Sequence, residues 1–239
     1  MVFYLADCGK KTIFVGCRPN KDRRMQLYIC YDIDSLPLEQ ALECVSPQRR
    51  TQVLAYKPEG SRRRCAGAYL LLCHALRTGW GIHTLPQLGY EEGGKPYLPQ
   101  TPHIHFNVSH CRGAVACVVD SRPVGVDVED VRRYRRDLAE YVCSDEEMSR
   151  ILASEDPAKA FIRLWTMKEA TLKLTGEGLR NNLRTALRPD VFCATFACGS
   201  QGCFCTVATW QPLGRLVPIV VEASQLVGVD QANLNSNGF

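Results

Sequence analysis

Residues 124–129 read Val-Gly-Val-Asp-Val-Glu, and valine occupies every second position. This alternation has the two-residue period of a β-strand, in which successive side chains point to opposite faces. The strand therefore presents Asp127 and Glu129 side by side on one face and Val126 and Val128 on the other. The pattern predicts a strand with one buried apolar face and two adjacent carboxylates on the opposite face.

The chain on either side of this strand predicts a mixture of strands and helices. Two strands at 104–108 and 114–119 precede it and predict an antiparallel meander that continues into 124–128. Earlier, residues 25–31 alternate like a strand, and Ser46-Pro47 is typical of a helix start. The remaining predicted elements are helices at 61–79, ending at Gly79, at 144–153 and at 158–175, ending before Gly176, and short strands within 191–210 and 216–222.

The composition is that of an ordinary globular protein, because 46% of the 239 residues are hydrophobic and 23% are charged. A chain of this length buries roughly 70% of the surface of its unfolded form, so its fold needs no metal or disulfide. It contains no apolar stretch of about 20 residues that could span a membrane and no apolar segment typical of a secretory signal. We therefore expect a cytoplasmic protein without a membrane partner.

The chain contains 13 cysteines but no pair with the spacing Cys-x-x-Cys. In a reducing compartment these cysteines are expected to be free thiols. Zinc sites usually take their ligands from such closely spaced pairs. A zinc site made from Cys193, Cys198, Cys203 and Cys205 is therefore disfavoured.

The net charge of +4 is unevenly distributed along the chain. Residues 1–64 contain 12 lysines and arginines against 7 acidic residues, a difference of +5, whereas the remainder contains 17 against 18, a difference of −1. A basic surface suits an anionic partner such as a nucleic acid, a phosphorylated cofactor or an acidic protein. A solvated basic face without a partner is the alternative.

Unpaired carboxylates on one strand face repel each other, and a divalent cation such as Mg²⁺ relieves the repulsion. The alternative is that Asp127 and Glu129 are neutralised by the arginines that follow, which are Arg132, Arg133, Arg135 and Arg136. Glu147 lies three residues after Ser144, which is the spacing of a helix capping box. Glu147 therefore either caps the helix or supplies a third metal ligand, and the sequence does not distinguish these roles.

The helix predicted at 158–175 carries an apolar stripe formed by Phe161, Leu164, Trp165 and Leu172. Lys168 lies inside this stripe, so its ammonium group must either extend to the surface or meet an anionic partner. Glu169 and Lys173 lie one turn apart at the border of the stripe, where an ordinary ion pair is one interpretation. A catalytic carboxylate beside two phosphate-binding lysines is the other.

Two further polar clusters have both a structural and a functional interpretation. His105, Asn107 and Ser109 share a strand face, and with the adjacent His110 they form a polar cluster able to bind phosphate. Residues 62–64 are three arginines in the first turn of the helix predicted at 61–79, where the helix dipole disfavours cations. They indicate either a bound anion or a tolerated surface cluster.

These motifs occur in the same order in the 4'-phosphopantetheinyl transferases, and the chain resembles that family from about residue 25 to residue 179. The segments that carry the resemblance are Ser46-Pro47, Gly94-Lys95-Pro96, Phe106-Asn107-Val108-Ser109-His110, Val124-Gly125-Val126-Asp127-Val128-Glu129 and Trp165-Thr166-Met167-Lys168-Glu169-Ala170-Thr171-Leu172-Lys173. The length and the early Ser-Pro segment resemble the Sfp-type branch rather than the shorter, trimeric holo-acyl-carrier-protein synthase branch.

The resemblance implies an α+β fold built as a pseudo-dimer of two similar α+β halves within a monomer. The N-terminal half would span 25–122 and grip coenzyme A, and the C-terminal half would span 123–232 and carry the metal and catalytic residues. Residues 1–24 have no counterpart in the family, so we expect an extension there, either from an upstream start codon or as an appended segment. Residues 233–239 are expected to be a frayed tail.

The resemblance also implies an activity that needs coenzyme A and Mg²⁺. The phosphopantetheine arm would pass to a serine of an apo acyl or peptidyl carrier protein, with release of 3',5'-ADP. Glu169 would take the serine proton, and Lys173 would bind the pyrophosphate as the second catalytic residue. The implied Mg²⁺ ligands are Asp127, Glu129 and Glu147. The implied coenzyme A contacts are Arg49, Arg64, Lys95, Ser109, His110, Lys168 and Lys173.

Gln52 and Cys65 depart from the family pattern, in which close relatives can have lysine and threonine. We expect these departures to alter the affinity for coenzyme A before they affect transfer. Another Mg²⁺-dependent enzyme of phosphate esters or anhydrides, or a family member that binds carrier proteins without catalysis, remains an alternative. A nucleic-acid partner is not expected, because no base-reading motif accompanies the arginine clusters.

Overall fold

The computed structural model of the chain describes residues 5–6, 25–131, 134–177, 183–198 and 202–227. In chain order its strands are β1 (Leu5–Ala6), β2 (Gln26–Cys30), β3 (Gly89–Tyr90), β4 (Pro96–Tyr97), β5 (His105–His110), β6 (Val115–Asp120), β7 (Val124–Asp130), β8 (Phe192–Ala197), β9 (Cys203–Thr209) and β10 (Ile219–Val220). Its α-helices are α1 (Leu38–Cys44), α2 (Pro47–Ala55), α3 (Glu59–Trp80), α4 (Arg136–Val142), α5 (Asp145–Leu152), α6 (Pro157–Thr175) and α7 (Ala223–Val227). Outside the described residues lie most of the predicted extension at 1–24, the predicted tail at 233–239, and Arg132 and Arg133.

The first sheet has the strand order β10-β2-β6-β5, and α3 covers one of its faces. Strand β6 is antiparallel to β2 on one side and to β5 on the other. All of its residues are buried, since α3 packs on one face and the second sheet on the other. Near its N-terminus, α3 places Arg64 beside His110, the last residue of β5.

The second sheet has the strand order β1-β8-β9-β7, and α6 packs against its outer face. Strand β9 is antiparallel to both β7 and β8, and β1 runs parallel to β8. Strand β1 comes from the predicted extension, so two residues of that segment add a strand to this sheet.

The two sheets face each other and share an apolar core. Val124, Val126 and Val128 of β7 contribute to this core as the sequence pattern predicts, and all three are buried. The first sheet contributes Leu27, Ile29, Ala116 and Val118. The layers therefore follow the order α3, first sheet, second sheet, α6.

The edge strands β5 and β7 meet where the two sheets adjoin. The backbone nitrogen of Val126 donates a hydrogen bond to Asn107 Oδ1 at 3.0 Å, and this bond is buried. A side-chain amide thus replaces a backbone partner at the edge of β7. The contact places Ser109 of β5 beside Asp127 of β7.

The prediction of an antiparallel meander over β5, β6 and β7 is wrong for its last strand. Strands β5 and β6 pair as predicted, but β7 pairs with β9 in the second sheet. The physical reason is that β2 already occupies the second edge of β6, from Gln26 opposite Val119 to Cys30 opposite Val115. Strand β7 therefore has no free edge of β6 to join.

The predicted helix starts are confirmed, whereas one predicted helix end is wrong. Ser46 accepts a hydrogen bond from the Arg49 backbone, and Ser144 starts α5 with a capping box. Helix α3 continues through Gly79 and ends at Gly81, which has a φ of 69°. Gly79 instead lies within the helix, beside the end of the Gln26 side chain. None of the helices in the described ranges is long and apolar enough to cross a membrane.

Candidate active site

Strand β7 and helix α6 approach each other closely at Gly125. A Cβ at this position would overlap the backbone carbonyl of Ala170, so no larger residue fits without a shift of the helix. The close approach brings the acidic face of β7, with Asp127, against the face of α6 that carries Glu169 and Lys173. Residues that are more than 40 positions apart in sequence thereby form one site.

Asp127, Ser109 and Lys173 form a closed hydrogen-bonded triangle. Lys173 Nζ lies 2.7 Å from Asp127 Oδ1 and donates to Ser109 Oγ at 2.8 Å. Ser109 Oγ in turn donates to Asp127 Oδ1 at 2.8 Å. The Lys173 ion pair is therefore with Asp127 on another element, rather than the ordinary pair with Glu169 on the same helix.

Glu169 is a buried carboxyl group with an oxygen that has no partner. Glu169 is only 7% exposed, and within the described ranges Oε1 accepts no hydrogen bond. Burial, and after it the negative charge of Asp127, raises the pKa of Glu169 to about 7, with Glu129 adding to the rise and Lys173 opposing it. A carboxyl with this pKa exchanges protons near neutral pH.

A cleft of about 650 Å³ opens beside Glu129 and Asp130, at the end of β7. It is lined by Arg64, His110, Cys111, Arg112, Glu129, Asp130 and Val131. Burial lowers the pKa of His110, and the positive charges of Arg64 and Lys173 lower it further. The cleft thus combines two guanidinium groups and an imidazole, which suit phosphate oxygens.

Of the four arginines that could neutralise the β7 carboxylates, Arg135 and Arg136 pair with other residues, and Arg132 and Arg133 lie outside the described residues. Arg135 pairs with Asp137 at 2.7 Å, and Arg136 pairs with Glu140 at 2.7 Å. Both pairs lie on the surface around α4. The charge of Asp127 is paired with Lys173 instead.

Glu147 and Lys168 form a buried pair away from the Asp127 triangle. The Glu147 carboxylate accepts from the Ser144 backbone in the capping box and lies 2.8 Å from Lys168 Nζ. Lys168 is fully buried and also donates to the carbonyl oxygens of Leu183 and Arg184. The capping interpretation of Glu147 is confirmed, and Lys168 has met an anionic partner instead of extending to the surface.

The other two predicted coenzyme A contacts lie at different places in the fold. Lys95, beside the turn between β3 and β4, donates to the carbonyl oxygen of Leu174 at 2.8 Å and so satisfies the C-terminal end of α6. Arg49, on α2, lies over the Tyr69 ring at 5.1 Å from its centroid. The structure therefore brings together Arg64, Ser109, His110, Asp127, Glu129, Glu169 and Lys173, but not Arg49, Lys95, Glu147 or Lys168.

The carboxylates of the site have oxygens that a divalent cation can use. Asp127 Oδ2 and Glu169 Oε1 are both buried, and neither has a hydrogen-bond partner in the part of the chain that the structure describes. Among the described residues, no three histidine, cysteine or acidic side chains are already arranged as a complete metal site. Mg²⁺ needs only one or two protein carboxylates, because water and substrate phosphates complete its shell. The donors at Asp127 and Glu129 fit such an ion.

Comparison with known proteins places the chain in a family. A model described as the 4'-phosphopantetheinyl transferase superfamily matches residues 123–200. A Haemophilus influenzae protein assigned to the 4'-phosphopantetheinyl transferases is 31% identical over 170 residues, which cover 65% of this chain and 70% of that protein. The chain belongs to the 4'-phosphopantetheinyl transferase superfamily.

Other members of the superfamily align over a smaller share of their length. The 4'-phosphopantetheinyl transferase Sfp of Bacillus subtilis is 31% identical over 144 residues, or 59% of this chain and 64% of Sfp. The 4'-phosphopantetheinyl transferase HetI of Nostoc sp. is 34% identical over 146 residues, or 56% of this chain and 61% of HetI. The chain thus spans slightly less than two thirds of these two relatives. The resemblance seen in the motifs is confirmed.

Sequence reasoning missed two residues that shape the wall of the cleft. Asp130 accepts hydrogen bonds from the backbone nitrogens of Arg112 at 2.9 Å and Gly113 at 3.1 Å, and so holds the turn that walls the cleft. Arg112 itself lines the cleft. The Arg-Gly turn between two predicted strands was the available signal, but its partner Asp130 lies 18 residues away.

Proposed function

We propose that the chain is a 4'-phosphopantetheinyl transferase, which moves the phosphopantetheine arm of coenzyme A to a serine of an apo acyl or peptidyl carrier protein and releases 3',5'-ADP. The observation that carries the proposal is Glu169. This buried carboxyl has an unpartnered oxygen and a pKa of about 7, and it lies near Asp127 and Lys173. Membership of the superfamily supplies the class of reaction.

Glu169 acts as the general base. Its raised pKa makes the carboxylate a better proton acceptor than an exposed glutamate, while a large share is still ionised at neutral pH. It takes the proton of the carrier serine hydroxyl as the oxygen attacks the phosphate of coenzyme A that bears the arm. Only one group in the site has to change its protonation state, and Glu169 is suited to that role.

Asp127 and Glu129 would hold Mg²⁺, with Glu147 as the third ligand that the resemblance implies. When bound, the ion polarises the pyrophosphate and stabilises the charge that develops on the leaving phosphate. Asp127 Oδ2 is available for it, because only Oδ1 is bound to Lys173 and Ser109. Glu147 would first have to leave its pair with Lys168.

Lys173 and the cleft residues bind the phosphates of coenzyme A. The Lys173 side chain keeps 29% of its surface exposed, so its ammonium can donate to a phosphate oxygen while it remains paired to Asp127. Ser109 and His110 lie beside it, and Arg64 extends the positive surface along the cleft. We propose Arg49 and Lys95 as more distant contacts of the nucleotide, and Lys168 as a phosphate contact that is released when Glu147 leaves their pair.

The two halves of the chain are proposed to form a pseudo-dimer within one monomer. The half at 25–122 contains β2, α3, β5 and β6 in chain order, and the half at 123–232 contains β7, α6, β8 and β9. In the first sheet β6 lies between β2 and β5, and in the second sheet β9 lies between β7 and β8. In each half the last of the three strands is therefore the middle one. This shared order supports the proposal of two similar halves.

The proposed carrier partner and cellular location are supported by charge and by thiols. Carrier proteins are generally acidic around the modified serine, which complements the basic excess of residues 1–64 and would make docking sensitive to salt. The described cysteines are free thiols, as expected of a protein in a reducing compartment such as the cytoplasm.

The mass of an apo carrier protein tests the proposal. The full chain is incubated with coenzyme A, Mg²⁺ and an apo acyl or peptidyl carrier protein, with EDTA as the control. We expect a Mg²⁺-dependent gain of one phosphopantetheine arm. Binding of coenzyme A without any gain across several carriers would contradict catalysis, and no binding at all would favour another Mg²⁺-dependent phosphate enzyme.

A further inference from the structure

A cluster of buried thiols lies between the two sheets, and the proposed transfer reaction does not use it. The thiol cluster consists of Cys111, Cys198, Cys203 and Cys205, which are 7%, 3%, 2% and 0% exposed. All belong to the apolar core that the sheets share. Their shared position lets these thiols react with one another, whereas an isolated buried cysteine packs only as a small apolar residue.

Cys203 is the centre of the thiol cluster. It adjoins Cys111 through Asp130, whose Oδ1 accepts from the Cys111 thiol at 3.3 Å. It begins β9, directly opposite Asp130 of β7. The backbone nitrogen of Cys198 donates to the Cys203 carbonyl at 2.8 Å across the β8–β9 pair. Cys203 therefore has two thiol neighbours, one from each sheet.

The thiol cluster does not match the zinc site considered from the sequence. Cys193 contacts Thr171 of α6 at 3.9 Å, so it lies on the outer face of the second sheet, away from the other three cysteines of that set. Nor does the described part of the chain place three metal-binding side chains together. We therefore assign no metal to these thiols.

Cys111 connects the thiol cluster to the open cleft. It follows the last residue of β5, lines the cleft wall and donates through its thiol to Asp130 Oδ1 at 3.3 Å. Cys198 and Cys203 lie deeper in the core. A small oxidant that enters the cleft thus reaches Cys111 first, and Cys203 lies behind it on the far side of their common neighbour Asp130.

We propose that Cys111 and Cys203 form a reversible disulfide when a hydroperoxide enters the cleft. In the first step the Cys111 sulfur takes one oxygen from the hydroperoxide, the O–O bond breaks, and the thiol proton leaves with the other oxygen as an alcohol, or as water from hydrogen peroxide. In the second step the Cys203 sulfur attacks the sulfenic sulfur, the S–O bond breaks, and hydroxide leaves with the Cys203 proton as water. Two thiols lose two electrons, and one hydroperoxide is reduced.

The disulfide joins the end of β5 in the first sheet to the start of β9 in the second. It removes the hydrogen bond from Cys111 to Asp130, which also holds the backbone of Arg112 and Gly113 in the cleft wall. The modification therefore changes the support of the cleft wall, and its formation does not depend on the proposed transferase activity.

The test is a thiol map of the full chain after treatment with hydrogen peroxide. The protein is quenched, unfolded, alkylated with N-ethylmaleimide and examined by intact mass and by peptide mapping. We expect the loss of two alkylatable thiols and a cross-linked peptide that contains Cys111 and Cys203, both reversed by a phosphine reductant. Full alkylation of every thiol, or a bond from Cys203 to Cys198 instead, would overturn the proposal.

Two variants identify the order of the steps. In Cys203→Ala the reaction should stop at the sulfenic acid of Cys111, which dimedone traps. The matched control is Cys193→Ala, which removes a thiol on the opposite face of the same sheet and should leave the cross-link unchanged. Dimedone labelling of Cys198 rather than Cys111 in Cys203→Ala would contradict entry of the oxidant through the cleft.

Discussion

Asp127 links the proposed cation position to Lys173, because its two carboxylate oxygens have different surroundings. Oδ1 accepts hydrogen bonds from Lys173 and Ser109, whereas Oδ2 is buried without a partner. One oxygen fixes the orientation of the carboxylate, and the other is left for a group that enters the site. The same residue thus connects a cation position to a phosphate-binding lysine.

Asp127→Asn tests this connection, since it keeps the shape of the side chain and removes its charge. We expect the rise in Tm that Mg²⁺ produces in the wild type to disappear, and transfer to fall by at least about 100-fold. Thermal unfolding with and without MgCl₂ measures the first effect. Asp137→Asn is the control, because Asp137 is exposed and pairs only with Arg135 among the described groups. Mg²⁺ stabilisation that persists in Asp127→Asn would contradict the assignment.

Glu169 makes the free energy of unfolding depend on pH. Its pKa is about 7 in the folded protein against an ordinary value of 4.5, so the folded state holds the proton more tightly than the unfolded chain. The burial of Glu169 therefore costs little below pH 4.5, and the cost grows as the pH rises towards 7. The folded protein loses stability over this range, and it regains none above it.

Glu169→Gln removes this cost, because glutamine stays neutral. We expect the variant to have a higher free energy of unfolding than the wild type, by on the order of 2 kcal/mol at pH 8 and by clearly less at pH 5. Urea unfolding in EDTA at both pH values measures the difference. An equal effect at the two pH values would show that the pKa of Glu169 is not raised.

At the scale of elements, the contact between β7 and α6 depends on the absence of a side chain at Gly125. A Cβ there would overlap the backbone of Ala170 and lie 2.6 Å from Leu174 N, and backbone atoms cannot move aside as a flexible side chain can. Gly125→Ala should therefore destabilise the fold by about 1–3 kcal/mol and reduce transfer by displacing Glu169.

Urea unfolding of Gly125→Ala against Gly214→Ala measures this effect. A Cβ at Gly214 would meet nothing within 4 Å, so that control variant should be close to the wild type in stability. The account of the β7–α6 contact fails if the two variants are equally stable.

The elements themselves could be predicted from local pattern, and their partners could not. The alternation in β7 and the cap at Ser46 need only neighbouring residues, and both are confirmed. The pairing of β7 with β9 depends on β2, which occupies the edge of β6 from almost 90 residues upstream. Gly79 was predicted as the helix end because glycine often ends a helix, but the chain reaches the left-handed conformation that ends α3 only at Gly81.

The candidate site could likewise be predicted in its residues but not in the contacts between them. The β-strand and helix periods placed Asp127, Glu129, Glu169 and Lys173 on defined faces, and only the resemblance to the family singled them out as a site. The ion pair of Lys173 with Asp127 spans 46 residues and needed the fold. Lys168 shows the limit most clearly, since a lysine in an apolar stripe signalled an anionic partner but not that this partner would be Glu147.

At the scale of the whole molecule, the two sheets share one core and should unfold together. The buried valines of β7 pack against the first sheet, and this interface would be exposed to water if the sheets separated. We expect a single calorimetric transition whose measured enthalpy equals the van't Hoff enthalpy. Residues 123–232 expressed alone should not give a cooperative transition. Two separate transitions in the full chain would contradict a shared core.

The rate of carrier modification by the Glu169→Gln variant tests the central claim most directly. The claim is that one buried carboxyl at the junction of β7 and α6 takes the proton of the carrier serine. Formation of modified carrier is followed by intact mass with coenzyme A and Mg²⁺, and calorimetry measures the affinity for coenzyme A. We predict a rate at least about 100-fold lower than that of the wild type, with the affinity nearly unchanged. A variant that modifies the carrier at the wild-type rate would contradict the account.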